Sequence, residues 1–219
     1  AEGSDTSGMT RSIPIEKILD DCLIAWAMNG EALRPEQGYP ARLVVPGWEG
    51  NMWVKWIRRL EFGDKPYMTR EETSKYTDLL RDGKARMFTW VMEAKSVVTS
   101  PSPEKPILHK GIQQLRGLAW SGKGKIKRVD VSLDGGKNWR TAQLHAPIMS
   151  KSLVRFTLPF EWSGEELLIQ SRAIDETGYV QPYIQELQKI RGKNSIYHNN
   201  SIATWLVSKS GRVDNVRLG

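Results

Sequence analysis

The sequence predicts a mainly β protein: a mixed α+β region over residues 1–87, then an all-β module over residues 88–219. In the second region, strand-length apolar runs recur between clusters of Gly, Pro and Asn. That spacing, with no helical period between the runs, is the pattern of an immunoglobulin-like β-sandwich. The first region differs: it combines one helix start, one tight-turn dipeptide and short apolar runs set in polar loops.

In the first region, Ser12-Ile13-Pro14-Ile15-Glu16-Lys17 places Ser before Pro and Glu in the next turn, which suits the start of a helix. The helix is short and ends near Asp20-Asp21. Asn29-Gly30 marks a tight turn, so residues 23–28 and 31–33 read as a hairpin. Leu43-Val44-Val45 reads as a short buried strand, broken by Pro46-Gly47; a Gly-containing loop leads to a second apolar segment, Trp53-Val54-Lys55-Trp56-Ile57. Residues 69–80 are polar and rich in Glu and Thr, and read as a surface segment or irregular loop.

In the second region the strand-length runs are 112–120, 126–133, 139–144, 153–158, 167–173 and 203–207. Val129-Asp130-Val131-Ser132-Leu133 alternates, and Asp134-Gly135-Gly136-Lys137-Asn138-Trp139 turns it into the next strand. The same stretch resembles a sialidase Asp-box, but it occurs once where propellers repeat it. A hairpin whose Asp caps the turn, with Trp packed beneath, explains it. Pro101-Ser102-Pro103-Glu104-Lys105-Pro106 resembles a linker, or a loop inside the second module.

Composition narrows the function. Hydrophobic residues make up 39% and charged residues 26%, close to globular averages. No run of about 18 apolar residues is present, so no segment is expected to span a membrane. The N-terminus lacks the basic start and apolar stretch of a signal peptide, as a mature exported chain also would. The net charge of +7 favours acidic partners. In Lys123-Gly124-Lys125-Ile126-Lys127-Arg128, strand spacing puts Lys125 and Lys127 on one face and Ile126 and Arg128 on the other. This is a solvated strand edge guarded by Lys or a docking patch for an acidic partner. No nucleic-acid motif accompanies the charge, and none is expected as a partner. The single cysteine, Cys22, lies in an apolar run and reads as packing. His109, His145 and His198 are isolated, lack metal-ligand spacing and read as surface or packing residues. No metal ligand is assigned.

Two cations flank the Pro46-Gly47 loop, Arg42 before it and Lys55 after it. A planar fork and a compact point charge suit an oxyanion such as a phosphate. On their own, they could equally form a surface salt bridge. Gln37-Gly38-Tyr39-Pro40, Arg42 and Val54-Lys55-Trp56 together resemble the molybdopterin-binding region of the sulfite oxidase family. The resemblance continues through Ser12–Lys17, Met28-Asn29-Gly30-Glu31 and downstream almost to the C-terminus. It implies the later part of a sulfite-oxidase-type molybdopterin domain, then an immunoglobulin-like dimerisation domain. Arg42 and Lys55 become cofactor contacts through the phosphate of molybdenum-molybdopterin, with Trp53 and Val54 offering main-chain groups.

Gln37 departs from the family, which places a cofactor-contacting His there; Gln keeps a donor and an acceptor but takes no charge. This change resembles the sulfane dehydrogenase branch, as do residues 67–79 and Lys193-Asn194-Ser195-Ile196-Tyr197-His198. Tyr76 matches the family's active-site tyrosine, a hydrogen-bond donor beside the metal, though a polar-loop Tyr is also often only a surface residue. Arg191, in Ile190-Arg191-Gly192, matches a substrate-pocket arginine; the competing reading is a strand-edge charge.

The resemblance implies a molybdenum oxidoreductase acting on protein-bound sulfane sulfur in the periplasm. Its partners would be a second copy bound through the β-sandwich, a c-type cytochrome subunit that takes the electrons, and a sulfur-carrier protein. Sulfite dehydrogenase or oxidase activity is the near alternative, and a non-catalytic β-sandwich dimerisation module the more distant one. The family's ligand cysteine lies well upstream of the Ser-Ile-Pro segment, and Cys22 lies after it. The first region is therefore expected to be an incomplete cofactor domain, inactive alone and without bound cofactor.

Overall fold

The computed structural model describes residues 1–5, 8–195 and 197–218. Ile196, within one of the stretches quoted above, lies outside them. The chain divides into a first unit, Ala1–Val91 with Ile190–His198, and a second, Met92–Lys189 with Asn199–Gly219.

The first unit contains β1 (Glu2–Gly3), α1 (Ile15–Asp21), β2 (Leu23–Ala25), β3 (Ala27–Met28), β4 (Glu31–Ala32), β5 (Arg42–Val44), β6 (Ile57–Arg59), α2 (Arg70–Lys75), β7 (Asp78–Leu79) and β8 (Ala85–Arg86). Short 3-10 turns occupy Pro35–Gln37 and Gly50–Met52. Pro14 caps α1 with the extended backbone that a proline ring permits. The Asn29–Gly30 turn has φ of 53° and 82°, the pair of positive values a two-residue hairpin turn needs. It closes only β3 on β4; β2 pairs instead with β5, so the hairpin is shorter than the sequence suggested. The chain bends at Trp26, between the two pairings.

Residues 69–80 are a correction, for they include a helix, α2. Thr69-x-x-Glu72 is a capping box: Thr69 N–H donates to Glu72 Oε2 at 3.0 Å. Glu72 is fully buried and also accepts from Ser12 N–H (2.5 Å) and Ser12 Oγ (3.1 Å). Leu43, Val45, Trp48, Met52 and Val54 form this unit's core, with half-buried Cys22 packed against it. Trp48 stacks on Trp90 with ring centroids 5.1 Å apart.

The second unit contains β9 (Lys95–Ser100), β10 (Gly111–Trp120), β11 (Ile126–Ser132), β12 (Arg140–Thr141), β13 (Gln143–His145), β14 (Val154–Trp162), β15 (Leu167–Asp175), most of α3 (Ile184–Arg191), β16 (Thr204–Val207) and β17 (Val213–Val216). Its antiparallel sheets run β13-β14-β10-β9 and β12-β11-β15-β16-β17. Leu115, Phe156 and Leu158 from one sheet share a core with Val129, Ile169 and Val207 from the other, which makes a β-sandwich. Residues 139–144 are not one strand. The chain changes sheets at buried Ala142, whose N–H donates to Val129 O at 2.8 Å. β9, β17 and α3 were not foreseen; Leu187 is the buried apolar residue of α3. A register shift between Ile126 and Arg128 breaks the expected alternation. Lys127 and Arg128 are both exposed while Ile126 is buried.

The Asp134 turn forms as a capped hairpin. Asp134 Oδ1 accepts from Ser132 Oγ and from the N–H groups of Lys137 and Asn138, and Oδ2 accepts from Asn138 Nδ2. Trp139 Nε1 donates to Gly136 O at 3.0 Å, and the Arg172 guanidinium lies 4.2 Å from the Trp139 ring.

Candidate functional site

The Pro35–Gln37 turn ends at Gly38, which has φ of 111°. A Cβ at Gly38 would lie 3.0 Å from Lys55 Cβ and 3.1 Å from Arg42 Cβ, so the two cations emerge on either side of one glycine. β5 supplies Arg42, and the segment after the Gly50–Met52 turn supplies Lys55. That segment is tied to β5 by Leu43 N–H to Val54 O (2.8 Å), with Ile57 N–H to Ala41 O (3.0 Å) beyond it. Arg42 Nη1 donates to Gln37 O at 2.9 Å and Nη2 to Trp53 O at 3.4 Å. Lys55 Nζ donates to Glu36 O at 2.5 Å, and Trp56 Nε1 to Pro35 O at 2.9 Å. The carbonyls of one tight turn thus gather both cations.

Burial holds the Arg42 pKa below its ordinary value. Its Nε is buried without a hydrogen-bond partner. Gln37 is half-buried, and its Oε1 accepts from Arg34 N–H at 3.1 Å. Trp53 Nε1 donates to Trp48 O at 3.0 Å, and the Trp53 ring centroid lies 5.6 Å from the Arg42 guanidinium. The main-chain groups expected of Trp53 and Val54 are in use within the chain. Trp53 N–H donates to Gly50 O and Val54 N–H to Met52 O, while the Trp53 and Val54 carbonyls accept from Arg42 and Leu43.

Molybdopterin fits the arrangement as an anion-bearing ligand. Arg42 retains a buried unused donor, Lys55 has donors beyond the one Glu36 accepts, and a side chain at position 38 would obstruct both.

A second cluster surrounds Tyr76, which ends α2. The Arg11 guanidinium carbon lies 4.4 Å from the Tyr76 ring centroid, and the Tyr197 ring lies 4.8 Å away, tilted by 51°. Arg191 is at the end of α3, not on a strand edge, and is only 2% exposed. Its Nη1 donates to Thr89 Oγ1 (2.7 Å) and pairs with Asp78 Oδ2 (3.2 Å).

The sequence reading missed three features. Arg11 is 1% exposed, and it received no role because it precedes the motif instead of lying in it. Glu72 was legible as a capping box. His198 is buried, as the packing reading allows, but its Nδ1 bond to Glu49 Oε1 at 2.5 Å was not foreseen. A cavity of about 530 Å³ is also lined by Arg11, Ser12, Leu43, Phe62 and Trp90. Its walls are mostly apolar and include none of Gln37, Arg42, Lys55, Tyr76 or Arg191, so it is a separate feature from the cation site. Among the described residues no helix is long and apolar enough to cross a membrane.

Residues 1–71 match the oxidoreductase molybdopterin binding domain, and residues 86–205 the Mo-co oxidoreductase dimerisation domain. Chicken (Gallus gallus) sulfite oxidase is 35% identical over 188 residues, covering 78% of this chain and 40% of the relative. The NADPH nitrate reductase of Mycosarcoma maydis is 33% identical over 153 residues, 59% of this chain and 16% of the relative. The crystal structure of the sulfane dehydrogenase SoxCD from Paracoccus pantotrophus is 62% identical, with a TM-score of 0.96 over 100% of this chain and 57% of that one. The chain therefore spans less than two thirds of each of these proteins. With both domain types matched in order along its length, the chain belongs to the sulfite oxidase family of molybdopterin oxidoreductases.

Proposed function

We propose that the chain supplies part of the cofactor cradle and the dimerisation module of a molybdenum oxidoreductase that oxidises sulfur compounds. The observation that carries this reading is the convergence of Arg42 and Lys55 on Gly38, with a buried guanidinium N–H of Arg42 left over. In this reading both cations hold the phosphate of molybdopterin, with Gln37 and Trp53 forming the adjoining wall and Val54 packed in the core behind it. When bound, the molybdenum centre supplies the two-electron redox chemistry. Tyr76 orients the reacting group by a hydrogen bond, and Arg191, held by Asp78 and Thr89, contributes positive charge for an anionic sulfur group.

The 62% identity to a sulfane dehydrogenase, against 35% to a sulfite oxidase, favours protein-bound sulfane sulfur as substrate. Gln37 in place of the family's His points the same way. Sulfite oxidation is the second reading, favoured by the 78% of this chain that aligns with the chicken enzyme. We assign residues 1–87 to the cofactor domain and residues 88–219 to an immunoglobulin-like module that pairs two copies. A c-type cytochrome subunit, a sulfur-carrier protein and a periplasmic location complete the proposal.

The test is molybdenum and pterin content of the native enzyme carrying Arg42→Met and Lys55→Met together. Losing two charge-assisted contacts is expected to lower retained pterin by about tenfold or more, with the oligomeric state unchanged. Native pterin content in the folded double variant would refute the cradle.

A further inference from the structure

We propose that Arg11 is a positioning residue for Tyr76 and gives its surroundings a fixed positive charge, so that the site selects a substrate group arriving with negative charge. The proposal rests on the reading of Tyr76 as the active-site tyrosine.

Arg11 is fully buried, yet no carboxylate lies within 4 Å of its guanidinium among the described residues. Arg191, equally buried, is paired with Asp78. Burying a charge without a counter-ion is costly, and arginine does not shed its proton to escape that cost. Glu72, next to Ser12 in space, does not serve as counter-ion: its oxygens accept from Ser12 and Thr69. What holds Arg11 is neutral. Nε donates to Asn51 O at 3.0 Å and Nη1 to Thr10 O at 2.9 Å, while Nη2 is buried with no partner.

The same residues fix where the guanidinium sits. Thr10 O accepts from Thr69 Oγ1 at 3.1 Å, and Ser12 is bonded to Glu72, so residues 10–12 are fastened to the start of α2. Arg11 then reaches the ring of Tyr76 at the other end of that helix, 4.4 Å from guanidinium carbon to ring centroid. A guanidinium held over a tyrosine ring restrains the ring and places positive charge against it. Arg11 therefore meets Tyr76 with two hydrogen bonds behind it and one nitrogen, Nη2, without a partner, an arrangement that serves an incoming anion better than it serves the fold.

The test uses Arg11→Gln, Arg11→Lys and Tyr76→Phe. Tyrosine ring signals are recorded by NMR in this chain with 13C-labelled tyrosine, Tyr76 being assigned from Tyr76→Phe. Steady-state kinetics are measured in the intact molybdenum-loaded enzyme with sulfite as the anionic probe. Arg11→Gln is expected to broaden and shift the Tyr76 signals and to raise KM for sulfite by about tenfold or more. Arg11→Lys is expected to recover much of the KM, since charge is kept, while leaving the Tyr76 signals altered, since an ammonium does not stack flat. Native KM and native Tyr76 signals in Arg11→Gln, alongside a rate loss in Tyr76→Phe, would overturn the role of Arg11 and leave the enzymatic reading standing. A native rate in Tyr76→Phe removes both. If Arg11→Gln does not fold, Arg11→Lys decides: altered Tyr76 signals support the proposal and superimposable ones overturn it.

Discussion

Replacing Glu72 should loosen the whole edge of the first unit that carries Arg11 and Tyr76. Its carboxylate is fully buried and accepts from Ser12 N–H, Ser12 Oγ and Thr69 N–H at 2.5, 3.1 and 3.0 Å. Glu72→Ala leaves two backbone donors and a hydroxyl without their acceptor and removes half of the capping box. An unsatisfied buried donor costs about 1–3 kcal/mol, and a lost cap about 1 kcal/mol. Partial rehydration lowers the sum, so about 3–5 kcal/mol is expected. Glu72→Gln keeps one acceptor oxygen but turns an NH₂ toward N–H groups, and should cost about 1–3 kcal/mol. The assay is urea unfolding, with amide hydrogen exchange at Ser12 and Thr69 reporting locally. Both amides should lose protection, and the far-UV signal of α2 should fall before the β-sandwich unfolds. A Glu72→Ala protein within about 0.5 kcal/mol of the parent, with both amides still protected, would refute the reasoning.

Gly117→Ala should destabilise the sandwich by about 3 kcal/mol. Its Cβ would lie 2.1 Å from Phe156 Cζ and 2.5 Å from Val97 O, and calorimetry of the second unit's transition measures the loss. Gly38→Ala forces a side chain into φ of 111° and against the Cβ atoms of Arg42 and Lys55; the enzyme should retain less pterin, measured by fluorescence after oxidative release. Asp134→Asn tests the capped turn through pH. Hydrogen bonds from Asn138 N–H, the Asn138 side chain and Ser132 hold the Asp134 pKa at about 2, below its ordinary 3.8. The stabilisation is thus fully present above pH 3.8 and fades as pH falls toward 2, so melting of Asp134→Asn should depend less on pH across that window.

The sandwich was legible because its core strands alternate and its turns use residues the backbone demands. Ser132, Asp134 and Trp139 each do what a capped hairpin requires of them. The split at Ala142 was not legible, since leaving one sheet for the other changes partners without changing pattern. α3 was hidden for a related reason: of its eight residues Leu187 is buried and Ile190 is exposed, so the helical apolar stripe is thin. In the first unit, Thr69-x-x-Glu72 carried its own signal, but a run of Glu and Thr looks like solvent-facing loop. Only the three-dimensional partner, Ser12, 60 positions away, accounts for burying Glu72.

The site divides along the same line. Arg42 and Lys55 were visible because a motif brackets them, and the chain brings both to Gly38. Arg11 and His198 were invisible because what distinguishes them is burial and partners, neither of which spacing encodes. Unsatisfied groups supply the missing signal. Arg11 Nη2, Arg42 Nε, Asn51 Oδ1, Trp90 Nε1 and Ser195 Oγ lie in the first unit, whereas the second has Asn200 Oδ1 among the described residues. Among the described residues the sandwich leaves no buried side-chain N–H group without a partner, as a module selected for packing should. The first unit leaves N–H groups of two arginines and a tryptophan without acceptors, and donors in excess call for an acceptor-rich, anionic ligand. In the proposed function a pterin phosphate meets that description at Arg42, and an anionic sulfur group meets it at Arg11, which lies in a separate cluster.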